Sequence, residues 1–161
     1  MKKFFQYSGV IALALGLVVI ILIMATPVMV TTTNGLKNVD GIQAVFGGDF
    51  KLSWAALLAW IFILIAVLIL LAGIILPLLK VKALEKFAGI LNLVTVGLLV
   101  VAGIFLFMAK DTFVNAQDSI TKAILENGYA VGAGFIIAGI LAIAGGVVAI
   151  LPAAIDLSKK K

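Results

Sequence analysis

Four stretches of this chain carry no charged side chain, and each is long enough to cross a bilayer as a helix. They cover about residues 7–30, 54–79, 87–109 and 130–155. Charges bound each run: Lys3 and Lys37, Lys51 and Lys80, Lys86 and Lys110, Glu126 and Asp156. A helix rises ~1.5 Å per residue, so about 20 residues span ~30 Å of hydrocarbon. Lipid offers no partner to a bare backbone N–H or C=O, so only helices and closed barrels cross it. Runs this continuous lack the alternation of a barrel strand. The expected fold is an all-α integral membrane protein. It forms an antiparallel four-helix transmembrane bundle, one domain over residues 1–161, with outer loops at 31–53 and 110–129.

Composition supports lipid as the solvent. Sixty-five per cent of the residues are hydrophobic and 12% are charged, against about 25% charged in soluble domains. Mean hydropathy is +1.33. The chain has no Cys and no His, and all 12 basic residues are Lys. Disulfides, Cys/His zinc sites, His- or Cys-ligated haem and a Ser-His-Asp triad are therefore excluded. Without Arg there is no bidentate fork for carboxylate or phosphate.

Lysine placement predicts orientation. Lys2, Lys3, Lys80, Lys82, Lys86, Lys159, Lys160 and Lys161 fall on one side; Lys37, Lys51, Lys110 and Lys122 fall on the other. Asp40, Asp49, Asp111, Asp118 and Glu126 accompany the smaller set. The positive-inside rule then puts both termini and the middle loop in the cytoplasm. The basic pI of about 9.6 reflects this topogenic bias rather than nucleic-acid binding. Met1-Lys2-Lys3 before an apolar run also fits a signal peptide. The run is long for one, and Ala25-Thr26-Pro27 is a poor cleavage site, so an uncleaved first helix is expected. The all-Lys basic set suggests a bacterial plasma membrane.

Small residues recur at seven-residue spacing, which keeps them on one slowly drifting helix face. In the second run these are Ala59, Ala66 and Gly73, with Ala56 on the same stripe. In the third they are Ala88, Thr95, Ala102 and Ala109; in the first, Gly9, Ala12 and Gly16 share a face. In the fourth, Gly132, Gly139, Gly146 and Ala153 recur, with Ala142 and Ala149 between them. Small residues let backbones approach, which drives helix association in lipid. Gly134, Ala138 and Ala142 supply a second small face, read as a site for self-association or a partner. Pro77 and Pro152 stand near the inner ends of the second and fourth runs, in similar Ile-Leu-Pro settings.

No Asp, Glu or Lys lies inside a run, which argues against a proton- or ion-coupled transporter within one subunit. Asn92 and Thr95 are the polar candidates at membrane depth, read as an interhelical hydrogen bond or as the lining of a constriction. Trp54 and Tyr129 suit the outer aromatic belt.

In the first outer loop, Thr31-Thr32-Thr33 before Asn34-Gly35 suggests a short β-hairpin, and 42–46 a strand. In the second, Phe113, Ala116, Ile120 and Ile124 follow helical spacing, with Asp118 and Lys122 as an i,i+4 pair. An amphipathic helix is expected there. Phe46, Phe50, Phe113 and Ile120 are candidates to pack the loops into a small extracellular cap. The scattered aspartates form no metal-binding loop pattern, and no cofactor or catalytic residue is assigned.

The four-span outline resembles that of claudin-like and tetraspanin-like membrane proteins. The residues that mark those families differ here. Gly35-Leu36 is followed by Lys37, and the cysteines of both patterns are absent. Shared outline alone implies no function. The expected function is non-enzymatic: packing and outer-loop contacts, as a self-associating structural protein or an accessory subunit. The alternative is a homo-oligomeric channel with its pore between subunits. The expected partners are the lipid bilayer and self or another membrane protein, not nucleic acid.

Overall fold

A computed structural model describes residues 2–79 and 87–158. The inner-loop lysines Lys80, Lys82 and Lys86 and the terminal Lys159–Lys161 lie outside the described residues. The chain is mostly helical. Four long helices, α1 (Lys2–Ala25), α3 (Trp54–Leu78), α4 (Ala88–Ala116) and α6 (Ala133–Ser158), alternate with shorter elements. Between α1 and α3 come β1 (Pro27–Thr31), β2 (Val39–Asp40) and α2 (Gly41–Phe46). Between α4 and α6 come α5 (Ser119–Gly128) and β3 (Tyr129–Val131). All four long helices are long and apolar enough to cross a membrane, which makes this a membrane protein with a bilayer as its natural surroundings.

The long helices form a ring: α1 packs on α3 and α6, and α4 packs on the same two. Small and aliphatic side chains fill the interior. Val19, Ile63, Ala66, Leu99, Ala102, Ala138 and Ala142 are fully buried. The outer faces are equally apolar but large-chained, with Ile21, Leu68, Ile104, Ile140 and Val147 exposed. In water such faces would associate; in hydrocarbon they are already solvated.

The short elements form a head at one end of the ring. Its sheet has the order β2-β1-β3, antiparallel throughout, with Met29 opposite Val39 on one side and Val131 on the other. Pro27 explains why α1 stops at Ala25 and not near residue 30. The residue before a proline is pushed out of the α region, and the Thr26 hydroxyl donates to Leu22 O at 2.5 Å, closing the last turn. Residues 27–31 therefore become the central strand, in which Val28 and Met29 are buried. By the same change, β3 takes residues from the expected start of the fourth helix, which begins at Ala133.

Two further expectations are corrected. Residues 42–46 form helix α2, not a strand: Ala44 and Val45 are buried together while Ile42 and Phe46 face outward, a helical and not an alternating pattern. The Thr-rich segment does not fold back as a tight hairpin. β1 pairs with β2 across residues 32–38, and the Asn38 carboxamide accepts from Thr31 N at 3.0 Å.

Candidate functional site

The small-residue stripes resolve into contacts within one chain. Ala59, Ala66, Ala138 and Ala142 are fully buried. Gly139 lies beside the Phe107 ring, and Gly146 packs on Val100 and Val96. Gly103, which the spacing argument passed over, sits against Gly139 O and Ile143. Two glycines facing each other across α4 and α6 let the backbones approach, and the flanking Ile143 and Phe107 cover them.

The Gly134, Ala138 and Ala142 face is not free for a second copy. Gly134 abuts the side chain of Thr26, and Ala138 and Ala142 are buried against the chain's own core. The fourth helix needs small residues on two faces because it packs on both α1 and α4. Gly73 departs from its stripe: it is exposed, with nothing within 4 Å of where a Cβ would stand.

Gly132 and Gly41 lock the head to the bundle. A Cβ on Gly132 would collide with the carbonyl of Pro27, and one on Gly41 with the carbonyl of Ile23. Gly132 N donates to Val28 O at 2.8 Å, and Gly41 N to Thr26 O at 3.1 Å. The segment from Ile23 to Val28 is thus gripped from two sides.

Polar groups at depth are few among the described residues. Thr95 is buried, and its hydroxyl donates to Leu91 O at 3.1 Å within its own helix. Asn92 is half-buried on the same helix. Nearer the head, Ser53 is fully buried and its hydroxyl lies 2.5 Å from that of Thr112. The Thr112 hydroxyl also lies within donating distance of Met108 O, at 3.0 Å, and of Ala109 O, at 3.2 Å. Ser53 Oγ also accepts from Ala56 N at 3.1 Å, the N-cap bond of α3.

A second cross-chain clamp lies one turn beyond. The Gln117 carboxamide accepts from Lys51 N at 3.0 Å and donates to Lys51 O at 2.8 Å. It acts as one rung of a strand ladder between segments that are not strands. Nothing in the sequence pattern marks Gln117 for this.

The proposed aromatic cap is partly assembled. Phe50 and Phe113 meet edge to face at 5.7 Å, with Phe113 fully buried. Phe46 packs edge-on against Trp60 at 5.2 Å but keeps half its surface open. Ile120 joins neither; it is 74% exposed. Tyr129 donates its hydroxyl to Lys37 O at 2.8 Å, and Trp54 stands edge-on to Phe105.

The expected amphipathic stretch breaks at Gln117 and Asp118, so Phe113 and Ala116 end α4 while Ile120 and Ile124 lie on α5, and the charge arrangement also differs. Lys122 pairs with Glu126 at 3.8 Å and donates to Asn115 Oδ1 at 2.8 Å, not to Asp118. Asp118 instead caps the helix. Hydrogen bonds from Thr121, its side chain first and its amide second, hold the Asp118 carboxyl below its ordinary value.

Between α4 and α5 an open recess of about 310 Å³ is lined by Lys110, Asp111, Val114, Asn115 and Glu126. Lys110 Nζ reaches Tyr129 O at its edge, at 3.5 Å. No group of three or more acidic, His or Cys side chains among the described residues is arranged to hold a metal. Comparison of the chain with protein-family models, curated proteins and solved structures finds no match.

Proposed function

We propose that this protein is a non-enzymatic four-span membrane protein that works through contacts of its head, as a self-associating structural protein or an accessory subunit of a membrane complex. The observation that carries this reading is the filled interior of the ring. Val19, Ile63, Leu99, Ala102 and Ala138 leave no exposed surface there, and glycines bring α4 and α6 together without a lumen. Chemistry and transport both need polar groups or space at depth. A dry, packed pillar leaves its surface as the working part.

Membrane placement follows from levels within the fold. Lys110 on α4 stands beside Tyr129, just ahead of α6; Thr26 abuts Gly134; Ser53 meets Thr112. All of these contacts lie at the junction of the long helices with the head. About 20 residues of helix back from it, a hydrocarbon thickness, lie Gln6, Gly73, Ile90 and Ala154. The next charges are Lys3, Lys86 and Asp156, two to four residues on, and Lys80, seven residues beyond Gly73. A charge-free slab of bilayer thickness therefore fits with the helices antiparallel and the head in water. The lysine bias favours the head outside and both termini in the cytoplasm, and the all-Lys basic set favours a bacterial plasma membrane.

On the head, Leu36, Ile42, Phe46, Ile120 and Ile124 are exposed. Apolar groups held outside the hydrocarbon call for a covering partner. The test is the mass of the native particle in lipid nanodiscs, with lysine crosslinking beforehand. A complex larger than one chain, lost in Ile120→Asp with Ile124→Asp, is expected. A lone monomer that crosslinks to nothing would overturn the reading, as would conductance across planar bilayers from the purified protein.

A further inference from the structure

We infer that the recess between α4 and α5 seats the headgroup of a phosphatidylethanolamine lipid. The inference rests on the membrane placement proposed above. That placement sets Lys110 at the first charged level beyond the hydrocarbon, where phospholipid headgroups lie. The recess therefore opens where a lipid's phosphate and amine are already concentrated.

Its lining matches both ends of that zwitterion. Lys110 and Asn115 can donate to a phosphate, and Asp111 and Glu126 can accept from an ammonium. The pairs come from one helix surface, Lys110 with Val114 and Asp111 with Asn115 at i,i+4 spacing, and from Glu126 on the facing α5. The Lys110 ammonium has three N–H groups, and its contact to Tyr129 O is long at 3.5 Å. Lys122 Nζ donates to Asn115 Oδ1 at 2.8 Å and sits 3.8 Å from Glu126, so the lipid amine would share Glu126 with Lys122 and reach Asp111. Val114, buried at the floor, gives an apolar base that the glycerol end of the lipid can face. The volume of about 310 Å³ is far above the ~30 Å³ share of one liquid water.

The amine distinguishes this lipid from its neighbours. A primary ammonium donates hydrogen bonds to both carboxylates. The trimethylammonium of phosphatidylcholine has no hydrogen to donate, and phosphatidylglycerol offers no cation to Asp111 and Glu126.

The experiment uses the full chain reconstituted into vesicles of defined composition, extracted in mild detergent, with retained lipid measured by native mass spectrometry. Retention of phosphatidylethanolamine at least five-fold above phosphatidylcholine and phosphatidylglycerol is expected from an equimolar mixture. Asp111→Asn should abolish that preference; Asp111 is exposed, so the fold tolerates the change, and an unchanged helical circular dichroism spectrum checks this. Equal retention of the three lipids overturns the inference, as does a preference that survives both Asp111→Asn and Lys110→Gln. Soluble phosphoethanolamine displacing the lipid at micromolar concentration would also overturn it, because the site would then belong to a free metabolite. A protein washed from vesicles by alkaline carbonate would sink the membrane placement itself. Firm insertion without lipid preference would sink the inference alone.

Discussion

Gly132 lies flat against the carbonyl of Pro27, so close that a single added methyl would overlap it, while its amide donates to Val28 O at 2.8 Å. This contact seats the central strand of the head on the start of the last helix. Gly132→Ala must push two backbone segments apart, and overpacking of this kind costs about 1–3 kcal/mol. Gly73→Ala, with nothing within 4 Å, should instead gain about 0.5–1 kcal/mol from helix propensity. Thermal unfolding in detergent should therefore move in opposite directions for the two variants. Equal shifts would show that the Gly132 contact does not matter.

The face bearing Gly134 and Ala138 is internal. Gly134→Leu and Ala138→Leu should each destabilise the monomer rather than dissociate an assembly. Size-exclusion profiles should show aggregated or poorly folded protein. Well-folded monomers from either variant would return that face to the outer surface.

Gln117 holds Lys51 through both halves of its carboxamide. Gln117→Ala removes these bonds and should cost about 1–2 kcal/mol at a net value near 1 kcal/mol per hydrogen bond. Amide exchange at Lys51 is the local readout and should accelerate, while exchange at Ala66 in the middle of α3 stays slow.

The Asp118 carboxyl caps α5, and hydrogen bonds from Thr121 hold it below the ordinary 3.8. A depressed carboxyl favours the folded helix while ionised. Its contribution is present above pH 3.8 and disappears as the pH falls through the lowered value. Acidification through that window should fray α5 first, seen as faster exchange at Thr121 and Lys122. Asp118→Asn should remove the pH dependence there.

The absence of cysteine makes orientation directly measurable. Ser119→Cys on the exposed start of α5 should react with an impermeant maleimide from outside intact cells. Labelling only after the membrane is broken would invert the proposed topology.

The four long helices were legible because lipid leaves a chain one way to satisfy its backbone, and charge-free length alone announces it. Ala59 and Ala66 could be read as packing residues for a similar reason: seven-residue spacing is a property of the helix itself. Gly73 shows where that logic ends, since it keeps the spacing yet has nothing within 4 Å of where a Cβ would stand. Residues 42–46 show the converse. Five residues are too few for periodicity to choose between strand and helix, and burial of Ala44 and Val45 together made the choice.

The sequence by itself determined the number of membrane helices, their approximate ends and the small residues where they meet. These depend on local composition and on the backbone's need for internal hydrogen bonds in hydrocarbon. Tertiary structure alone decided that residues 27–31 form the centre of a sheet, that Gln117 grips Lys51 and that Gly134 is covered by Thr26. Such pairings join segments more than a hundred residues apart in the case of Thr26 and Gly134, and a contact made by approach of distant backbones leaves no period in the chain to read.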